Sequence, residues 1–311
     1  MDYCVTAVMN IAFTTPLPAE GFSRLRGYQL YADPEIAEVL VSTFDKRVDR
    51  EMISQMPRLR LIANFGAGYN NIDLEACRER GIRVTNTPMS VVEPTAELAF
   101  ALMLSVARNV CLRDRQLREG QCEPMAVMNN LSHGLYGKTL GIIGMGRIGQ
   151  ALARRALASG MKIVYHNRHR LPEEIERRYE AHYLPQDVLL QQADFVSLNL
   201  PYTPESHHLI GAPQLTLMRS TAYLVNTARG AHVDEEALIR ALKAGQIAGA
   251  AMDVYEHEPQ IADELLRMPN VVVSPHTGTG TWEGRLAMCE EVTDNILAFA
   301  DNEPIKMNIV L

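Results

Sequence analysis

The stretch TLGIIGMGRIGQALARRALASG, residues 139–160, constrains the fold more than any other part of this chain. Its apolar run Leu140–Ile143 leads directly into Gly144, Gly146 and Gly149, spaced as Gly-x-Gly-x-x-Gly. The residues that follow have helical periodicity, and the final glycine of the stretch can end a helix. A buried strand that turns through glycines into a helix is typical of a β-α-β unit in a parallel sheet.

The rest of the chain also alternates between strand-like and helix-like segments. The predicted strands are 4–13, 60–65, 82–86, 139–143, 161–165, 194–198, 222–225, 248–252 and 271–273. The predicted helices are 73–80, 94–120, 147–159, 186–192, 234–244 and 283–300. This alternation predicts an α/β fold with doubly wound parallel sheets. We expect a larger domain at 98–281 and a smaller, discontinuous one formed by 1–97 and 282–311.

The glycine pattern occurs here in the context that a dinucleotide site requires. Gly144 permits a tight turn, Gly146 lets the backbone approach a pyrophosphate, and Gly149 allows close packing of helix on strand. The helix that begins near Arg147 and Ile148 presents free N–H groups to the phosphates. The sequence therefore predicts a dinucleotide cofactor, bound by the domain at 98–281.

The segment KIVYHNRHR, residues 162–170, lies where such sites recognise the adenosine ribose. An acidic residue usually ends this second strand and binds the ribose 2′-hydroxyl. This chain has Asn167 there, followed by Arg168 and, two residues later, Arg170. Basic groups at this position suit a 2′-phosphate, so NADP is predicted as the preferred cofactor, with NAD possible. A solvated strand end is the alternative interpretation, because arginine and histidine are ordinary there.

Composition excludes several other classes of protein. A formal net charge of -7 over 311 residues argues against a general nucleic-acid binder. The longest apolar run, 98–107, is too short to span a bilayer, and the N-terminus lacks the basic region of a signal peptide. The five cysteines include no Cys-x-x-Cys pair, which indicates reduced thiols and a cytoplasmic protein.

Three later motifs contain reactive side chains, each directly after an apolar strand. LVNTARGAHV contains Arg229, GAAMDVYEHEP contains Asp253, Glu256 and Glu258, and VVVSPHTGTGT contains His276. Ligands bind beyond the carboxyl ends of the strands in an open parallel sheet. We therefore expect these three segments and the glycine loop to share one edge of the sheet.

Together, Gly144–Gly149, Asn226–Gly230, Asp253–Pro259 and Pro275–Gly278 resemble the signature motifs of the D-isomer-specific 2-hydroxyacid dehydrogenases, in particular the glyoxylate/hydroxypyruvate reductases. Residues 64–88 resemble the family's substrate loop, so the resemblance covers most of the chain from about residue 60. It implies two Rossmann-like domains with a cleft between them. It also implies an oxidoreductase that converts 2-keto acids to D-2-hydroxy acids with NAD(P)H.

The family's catalytic triad corresponds to Arg229, Glu258 and His276, separated by 29 and 18 residues. Arg229 can bind the substrate carboxylate and polarise the keto oxygen. His276 can donate the proton, and Glu258 can keep its imidazolium charged until transfer.

The resemblance also implies further binding residues. Backbone N–H groups of Ala67 and Gly68 would bind the substrate carboxylate alongside Arg229 and His276, and Asp253 would meet the nicotinamide carboxamide. The expected cofactor-binding residues are Gly144, Gly146, Arg147, Ile148, Gly149, Asn167, Arg168, Pro201, Thr227, Ala228, Asp253 and Gly278.

Some features leave alternatives open. Glu256 competes with Glu258 for the triad position, although the Glu-Pro pairing and the spacing favour Glu258. His207 and His208 belong to a predicted surface loop, and no metal site is expected. Relatives often carry a tryptophan before the glycine loop, whereas this chain has none there, and Met89 replaces the family's usual Gly or Phe. Substrate size is therefore not carried over.

Two further expectations concern partners and class. The helix predicted at 94–120 and the Met-rich segment after it offer apolar surface, and relatives dimerise through this region, so a homodimer is expected. A nucleotide-sensing corepressor-like protein is the alternative to an enzyme, but those proteins usually carry long additional tails. A formate dehydrogenase is disfavoured, because that subfamily has Gln in place of Glu258.

Overall fold

The computed structural model describes residues 9–121 and 123–311, so the first strand predicted at 4–13 begins outside the described residues. The described strands are β1 Asn10–Phe13, β2 Gln29–Leu30, β3 Val39–Thr43, β4 Leu61–Phe65, β5 Arg83–Thr85, β6 Thr139–Ile143, β7 Lys162–His166, β8 Ala181–Tyr183, β9 Phe195–Leu198, β10 Tyr223–Asn226, β11 Gly249–Met252 and β12 Val271–Val273. The α-helices are α1 Arg50–Ser54, α2 Leu74–Glu79, α3 Val92–Ala107, α4 Val110–Arg118, α5 Arg147–Ala158, α6 Glu173–Arg178, α7 Gln186–Gln192, α8 Ala212–Leu217, α9 Glu235–Lys243, α10 Asp263–Arg267 and α11 Trp282–Ala300. Short 3-10 helices span Ala19–Phe22, Pro204–Ser206, Gly230–His232 and Pro304–Lys306.

The chain forms two compact units, each with its own parallel sheet. Of the described residues, 9–92 and Thr279–Leu311 form the smaller unit, and those of Glu93–Gly278 form the larger one. The predicted fold class, α/β with doubly wound parallel sheets, is confirmed.

The smaller unit has a five-stranded sheet in the order β2-β1-β3-β4-β5. Every residue of β3 and β4 is buried, as expected for parallel strands covered on both faces. The C-terminal segment returns to this sheet, where Val310 N donates a hydrogen bond to Val84 O (2.8 Å). Helix α11 packs against β4 of the same unit, and the Thr281 side chain caps its N-terminus by accepting from Gly284 N.

The larger unit has a seven-stranded sheet in the order β12-β11-β10-β9-β6-β7-β8, in which every neighbouring pair is parallel. The chain passes from β6 outward through β7 to β8, then returns to place β9 on the other side of β6. This reversal is the topological switch point at which doubly wound sheets bind ligands. The glycine loop and the segment after β9 therefore leave the sheet side by side.

The single helix predicted at 94–120 is wrong. The structure has α3 and α4 instead, which meet at a 61° bend. Asn109, between them, has φ = 54°, a left-handed conformation that interrupts a right-handed helix and that Asn tolerates better than most residues. Helix α3 buries a face that includes Leu102 and Val106, whereas α4 has no buried residue. The core therefore does not hold α4 in line with α3.

Within 9–121 and 123–311, no single helix is long and apolar enough to cross a membrane. Only the bent pair of α3 and α4, taken together, meets that test, and by length and composition alone.

Candidate active site

Two glycines of the loop after β6 are required by the packing of the protein itself. Gly144 has φ = 93°, and a Cβ there would lie 2.7 Å from the backbone carbonyl of Asn199. A Cβ on Gly149 would lie 2.6 Å from the carbonyl oxygen of Gly144, so any larger residue would push α5 off the loop. These two positions set the turn and the close packing of helix on strand.

Gly146 differs from both, because the protein gives no packing reason for it. Its φ is -78°, and a Cβ there would meet none of the described residues within 4 Å. Gly146 is also the N-cap of α5, which begins with Arg147 and Ile148 and has no side-chain cap at this end. The missing side chain thus leaves open an approach to uncapped N–H groups, which fits a pyrophosphate.

Buried polar atoms without partners follow the next strands of the sheet. Asn199 Oδ1 after β9 and Thr227 Oγ1 after β10 are buried and have no hydrogen-bond partner among the described residues. A buried polar atom left unpaired costs about 1–3 kcal/mol. Such atoms at the carboxyl edge fit a polar ligand that supplies the missing bonds. Pro201, also predicted for the cofactor, lies exposed just beyond β9, and Ala228 N donates to Asn226 Oδ1.

Asp253, after β11, is a fully buried carboxylate that organises the segment after β12. Its Oδ1 accepts hydrogen bonds from Ser274 Oγ (2.6 Å) and Thr277 N (2.8 Å). Its Oδ2 forms no hydrogen bond to a described residue, although the N–H of Gly278 lies close enough to lower the pKa of Asp253. Burial is the larger effect and raises that pKa above its ordinary value. A donor on a ligand, such as a carboxamide, would stabilise this oxygen.

His276 and Glu258 form a direct pair. The imidazole Nδ1 lies 2.7 Å from Glu258 Oε2, and Glu258 Oε1 accepts a hydrogen bond from Tyr255 N (2.9 Å). Burial of the Glu258 carboxyl raises its pKa, but the bond to His276 and the charges of His276 and Arg229 outweigh burial. The pKa of Glu258 is therefore below its ordinary value, and the carboxylate is ionised at neutral pH.

The backbone at His276 is held in a conformation that few residues adopt. Its φ is 53°, and its N–H donates to Asp253 O (2.8 Å). Left-handed backbone at a residue other than glycine costs of order 1–3 kcal/mol and persists only where the surroundings enforce it. Here the buried Asp253 holds it, because Asp253 accepts from the N–H groups of both His276 and Thr277, and the imidazole lies beside Glu258.

Arg229 follows β10 and is fixed by its neighbour Asn226. The Asn226 amide donates to the carbonyl oxygen of Arg229 (2.9 Å), and Arg229 Nη1 donates to Ala228 O (2.6 Å). Burial lowers the pKa of the guanidinium, and the Glu258 charge opposes that shift. Among the described residues no carboxylate lies within 4 Å of this guanidinium. A largely buried cation without a close counter-ion fits an anionic substrate.

Of the two candidate carboxylates after β11, Glu258 is the one that pairs with His276. Glu256 Oε1 instead lies 2.5 Å from His208 Nε2, and Glu256 Oε2 accepts from Glu235 N (3.2 Å). No sequence pattern indicates this contact, because His208 and Glu256 are 48 residues apart.

The segment 162–170 differs in part from expectation. Asn167 Oδ1 accepts a hydrogen bond from Met145 N (2.7 Å), so this side chain holds the glycine loop. Arg168 is exposed. Hydrogen bonds from the backbone and from the Thr203 side chain lower the pKa of Glu205 on the segment after β9, and the charge of Arg168 adds a smaller effect in the same direction. Arg170, which was expected to aid Arg168, is paired with another group in the structure: its Nε and its Nη2 each lie 2.8 Å from the carboxylate of Glu176. Its predicted help to Arg168 stays a prediction.

Glu176 is a carboxylate near this strand end that the sequence did not indicate. The carboxylate also accepts from Tyr165 (2.6 Å), whose hydroxyl in turn accepts from Leu171 N (2.8 Å). Arg170 and Tyr165 hold the pKa of Glu176 at about 2, while burial and the bond to Glu176 raise the pKa of Tyr165 to about 12. The network is therefore intact at any ordinary working pH and fixes the course of the chain after β7.

In the smaller unit, Ala67 and Gly68 follow β4 in a loop held by two asparagines. The Asn64 amide donates to Gly68 O (2.9 Å), and the Asn86 amide donates to Ala67 O (2.9 Å). Their carbonyl groups are thus fixed, whereas the N–H groups of Ala67 and Gly68 have no partner among the described residues. The predicted role of these two N–H groups in binding a carboxylate stays a prediction.

Comparison with known proteins agrees with this geometry. Residues 100–278, more than half of the chain, match the family model described as D-isomer specific 2-hydroxyacid dehydrogenase, NAD binding domain. The chain is 43% identical to a glyoxylate reductase from Thermococcus litoralis, covering 97% of this chain and 96% of that protein. It is also similar to the crystal structure of the TT0316 protein from Thermus thermophilus, with TM-score 0.90 and 40% identity, covering 97% of this chain and 100% of that one.

A third similar protein is the NADPH-dependent glyoxylate/hydroxypyruvate reductase from Sinorhizobium meliloti, solved with NADP and malonate. It has TM-score 0.82 and 30% identity and covers 94% of this chain and 93% of that one. The chain therefore belongs to the D-isomer-specific 2-hydroxyacid dehydrogenase family, as the sequence motifs predicted. Its larger unit contains the family's nucleotide-binding domain.

The contact between the segments after β10 and β11 gives a direct test of how the site is assembled. A Cβ on Gly230 would lie 1.9 Å from the backbone carbonyl of Tyr255, so Gly230→Ala must separate the segments that carry Arg229 and Glu258. We expect a lower melting temperature and a kcat at least about tenfold lower, the usual scale for a misplacement of about 1 Å.

The matched control is Gly134→Ala, where a Cβ meets nothing within 4 Å of the described residues. It should change stability by no more than about 0.5 kcal/mol. A Gly230→Ala protein with the wild-type melting temperature and kcat would show that the two segments are not in the contact described.

Proposed function

We propose that this chain is an oxidoreductase that reduces small 2-keto acids to D-2-hydroxy acids with NADPH or NADH. The observation that carries the proposal is the pairing of His276 with the ionised Glu258, in the same unit as an Arg229 that has no carboxylate within 4 Å among the described residues. Reduction of a 2-keto acid needs an anion-binding cation, a proton donor and a source of hydride. A bound nicotinamide cofactor would supply the hydride.

Each residue has a distinct task in this proposal. Arg229 binds the substrate carboxylate and withdraws electron density from the keto oxygen. His276 transfers the proton on Nε2 to that oxygen, because its Nδ1 is engaged by Glu258. Glu258 positions the ring and stabilises the imidazolium before transfer.

The cofactor-binding part of the proposal rests on atoms that the protein leaves unsatisfied. The open approach at Gly146 and the uncapped start of α5 fit the pyrophosphate. The unpaired Thr227 Oγ1 and Asp253 Oδ2 fit polar groups nearer the nicotinamide. The relatives named as glyoxylate reductases favour a small substrate such as glyoxylate or hydroxypyruvate, and they favour an enzyme over a corepressor-like protein.

Replacing the proton donor tests the chemistry. His276→Asn removes the transferable proton but keeps a hydrogen-bonding group beside Glu258. We expect kcat for glyoxylate to fall by about 10²–10⁴. Cofactor dissociation constants, measured by nucleotide fluorescence, should change less than about threefold.

Arg229→Ala provides the contrast. It removes a group that binds the substrate in both ground and transition states, so KM should rise and kcat should fall together. If His276→Asn retains near-normal turnover, the assignment of the proton donor is wrong.

We further propose that the chain prefers NADPH to NADH. Asn167 uses its oxygen on Met145 N, so the part of the amide left for a ligand is the NH₂ group, which only donates. A donor suits phosphate oxygens, and Arg168 adds a cation without the repelling carboxylate of an NAD site. The family model is described as NAD binding, whereas one similar structure contains NADP. Resemblance alone therefore does not distinguish NADH from NADPH, and the proposal rests on Asn167 and Arg168.

The double variant Asn167→Asp, Arg168→Ala tests this preference. The wild type should favour NADPH in kcat/KM by about ten- to a hundredfold, the value of one charge-assisted contact, and the variant should favour NADH. Arg177→Ala, which removes an exposed cation from α6, is the matched control and should leave the ratio unchanged. Equal use of NADH and NADPH by the wild type, or an unchanged NADPH KM in Arg168→Ala, would contradict the proposal.

We also propose a homodimer and a cytoplasmic location. The apolar residues exposed on α4 and the segment after it are Val110, Leu117, Met125, Val127, Met128 and Leu131. Such a group of side chains is typical of an interface with another copy of the chain. The described cysteines, Cys77, Cys111 and Cys289, are free thiols, which fits a reducing compartment.

Sedimentation velocity at micromolar concentration should give twice the chain mass of 34.7 kDa. The double variant Met128→Lys, Leu131→Lys should sediment as a monomer, because each lysine would place a charge in the buried interface. Ile305→Lys, at a residue 99% exposed in the smaller unit, is the control and should remain dimeric. A wild type that sediments as a monomer would remove the dimer proposal.

A further inference from the structure

Three metal-ligating side chains converge outside the residues assigned to the reaction. One ligand atom from each of His207, His208 and Glu256 lies within 4.8 Å of the other two. The histidines follow the 3-10 helix Pro204–Ser206, beyond β9, and Glu256 follows β11. Two imidazoles and one carboxylate form a donor set that zinc accepts with a water as fourth ligand.

The backbone brings the two adjacent histidines to the same side. Successive side chains of an extended segment point in opposite directions. His208 has φ = 49°, and the two imidazole rings consequently stack, with centroids 3.9 Å apart and planes at 19°. The N–H of His208 donates to Ala231 O (2.9 Å), which holds this conformation.

The other two donors are also held in place. Glu256 Oε2 accepts from Glu235 N (3.2 Å), which leaves Oε1 directed at His208 Nε2 (2.5 Å). The hydroxyl of Tyr202 lies 3.5 Å from His207 Nδ1. The side chain of Glu256 is only 14% exposed, so its carboxylate is not an ordinary solvated surface acid.

We propose that His207, His208 and Glu256 form a binding site for a divalent transition-metal ion, with Zn²⁺ as the best match to the donors. Two ligands with bonds of about 2.1 Å to one tetrahedral ion are about 3.4 Å apart. His208 Nε2 and Glu256 Oε1, now 2.5 Å apart, must therefore separate by of order 1 Å, and any pair near the 4.8 Å limit must approach by a similar amount. The ion takes the place of the proton between His208 Nε2 and Glu256 Oε1, and His208 binds it as a neutral imidazole whose single N–H is at Nδ1.

Such an ion would join two segments that lie on either side of the segment carrying Arg229. Strand β10 pairs with β9 on one side and with β11 on the other. The site would link the segments that follow β9 and β11, and so restrict the motion of the second, which also carries Glu258. The ion is a structural ligand in this proposal and takes no part in hydride or proton transfer.

Zn²⁺ titration of tag-free protein dialysed against chelator tests the site, with heat of binding and melting temperature as readouts. We expect one ion per chain at this site and a rise in melting temperature of roughly 5 °C at a hundredfold excess over Kd. His208→Ala and Glu256→Gln each remove one of three protein donors and should weaken binding at least about tenfold. Co²⁺, with its visible absorption bands, reports whether nitrogen and oxygen donors surround the ion.

The control is His182→Ala, which removes an exposed histidine from β8 at the far edge of the sheet and should leave Zn²⁺ affinity unchanged. Cys111 is an exposed thiol that can also bind zinc. The proposal is therefore tested by the ratio of the Zn²⁺ affinities of the wild type and the variants, and not by the wild-type affinity alone. Glu256→Gln preserves side-chain size, so it remains informative if His208→Ala melts early without metal. Equal Zn²⁺ affinity in the wild type and both variants, or no binding at millimolar Zn²⁺, overturns the proposal.

Discussion

The arrangement of the candidate site depends on one constraint, the common direction of all seven strands in the larger sheet. Because every pair is parallel, the segments after β6, β9, β10, β11 and β12 all leave at the same edge. Direct contacts then fix their spacing. The backbone of His276 bonds to Asp253, and Gly230 lies against Tyr255 so closely that no side chain fits between them. The His276–Glu258 pair is therefore a consequence of strand order and of two short backbone contacts, more than of attraction between the two side chains.

Burial destabilises the charged forms of Asp253, Glu258 and Arg229. The interactions that offset this cost differ among the three groups. Asp253 is compensated at one oxygen only, and its pKa stays above the ordinary value. Glu258 is compensated by His276 and the Tyr255 N–H, and its pKa falls below the ordinary value. Arg229 has no close carboxylate among the described residues, so its buried charge is the least compensated of the three. The missing counter-charge is the one that a substrate carboxylate would bring, which is why an anion is expected there and a neutral ketone is not.

The parts of the fold that were predictable from sequence are those in which one strong local signal decides. The apolar strands β6, β7 and β9 to β12 and the helices α5 and α9 were predicted to within a residue or two, because buried strands are continuous apolar runs and amphipathic helices are periodic. Short elements such as β8, α6 and α8 were missed, because three to six residues give only a weak periodic signal, although α2, also of six residues, was predicted. The division of 94–120 into two helices depends on whether the second half packs on a core, which periodicity does not reveal. At the site, spacing suggested Glu258, but only the backbone after β11 directs Glu258 to His276 and Glu256 to His208.

Because α6 was not predicted, the net charge around residues 162–170 was also judged incorrectly from the sequence. From sequence, Arg168 and Arg170 together offer two cations and no acid. In the structure Glu176, on α6, neutralises Arg170 through two 2.8 Å contacts, and Glu205 lies close enough to interact with Arg168. The segment thus offers one exposed cation whose field is partly offset. A 2′-phosphate would carry more charge than the Glu205 carboxylate and would present acceptors that suit the planar fork of the Arg168 guanidinium. Any preference for NADPH that depends on this exposed contact should weaken as salt screens it.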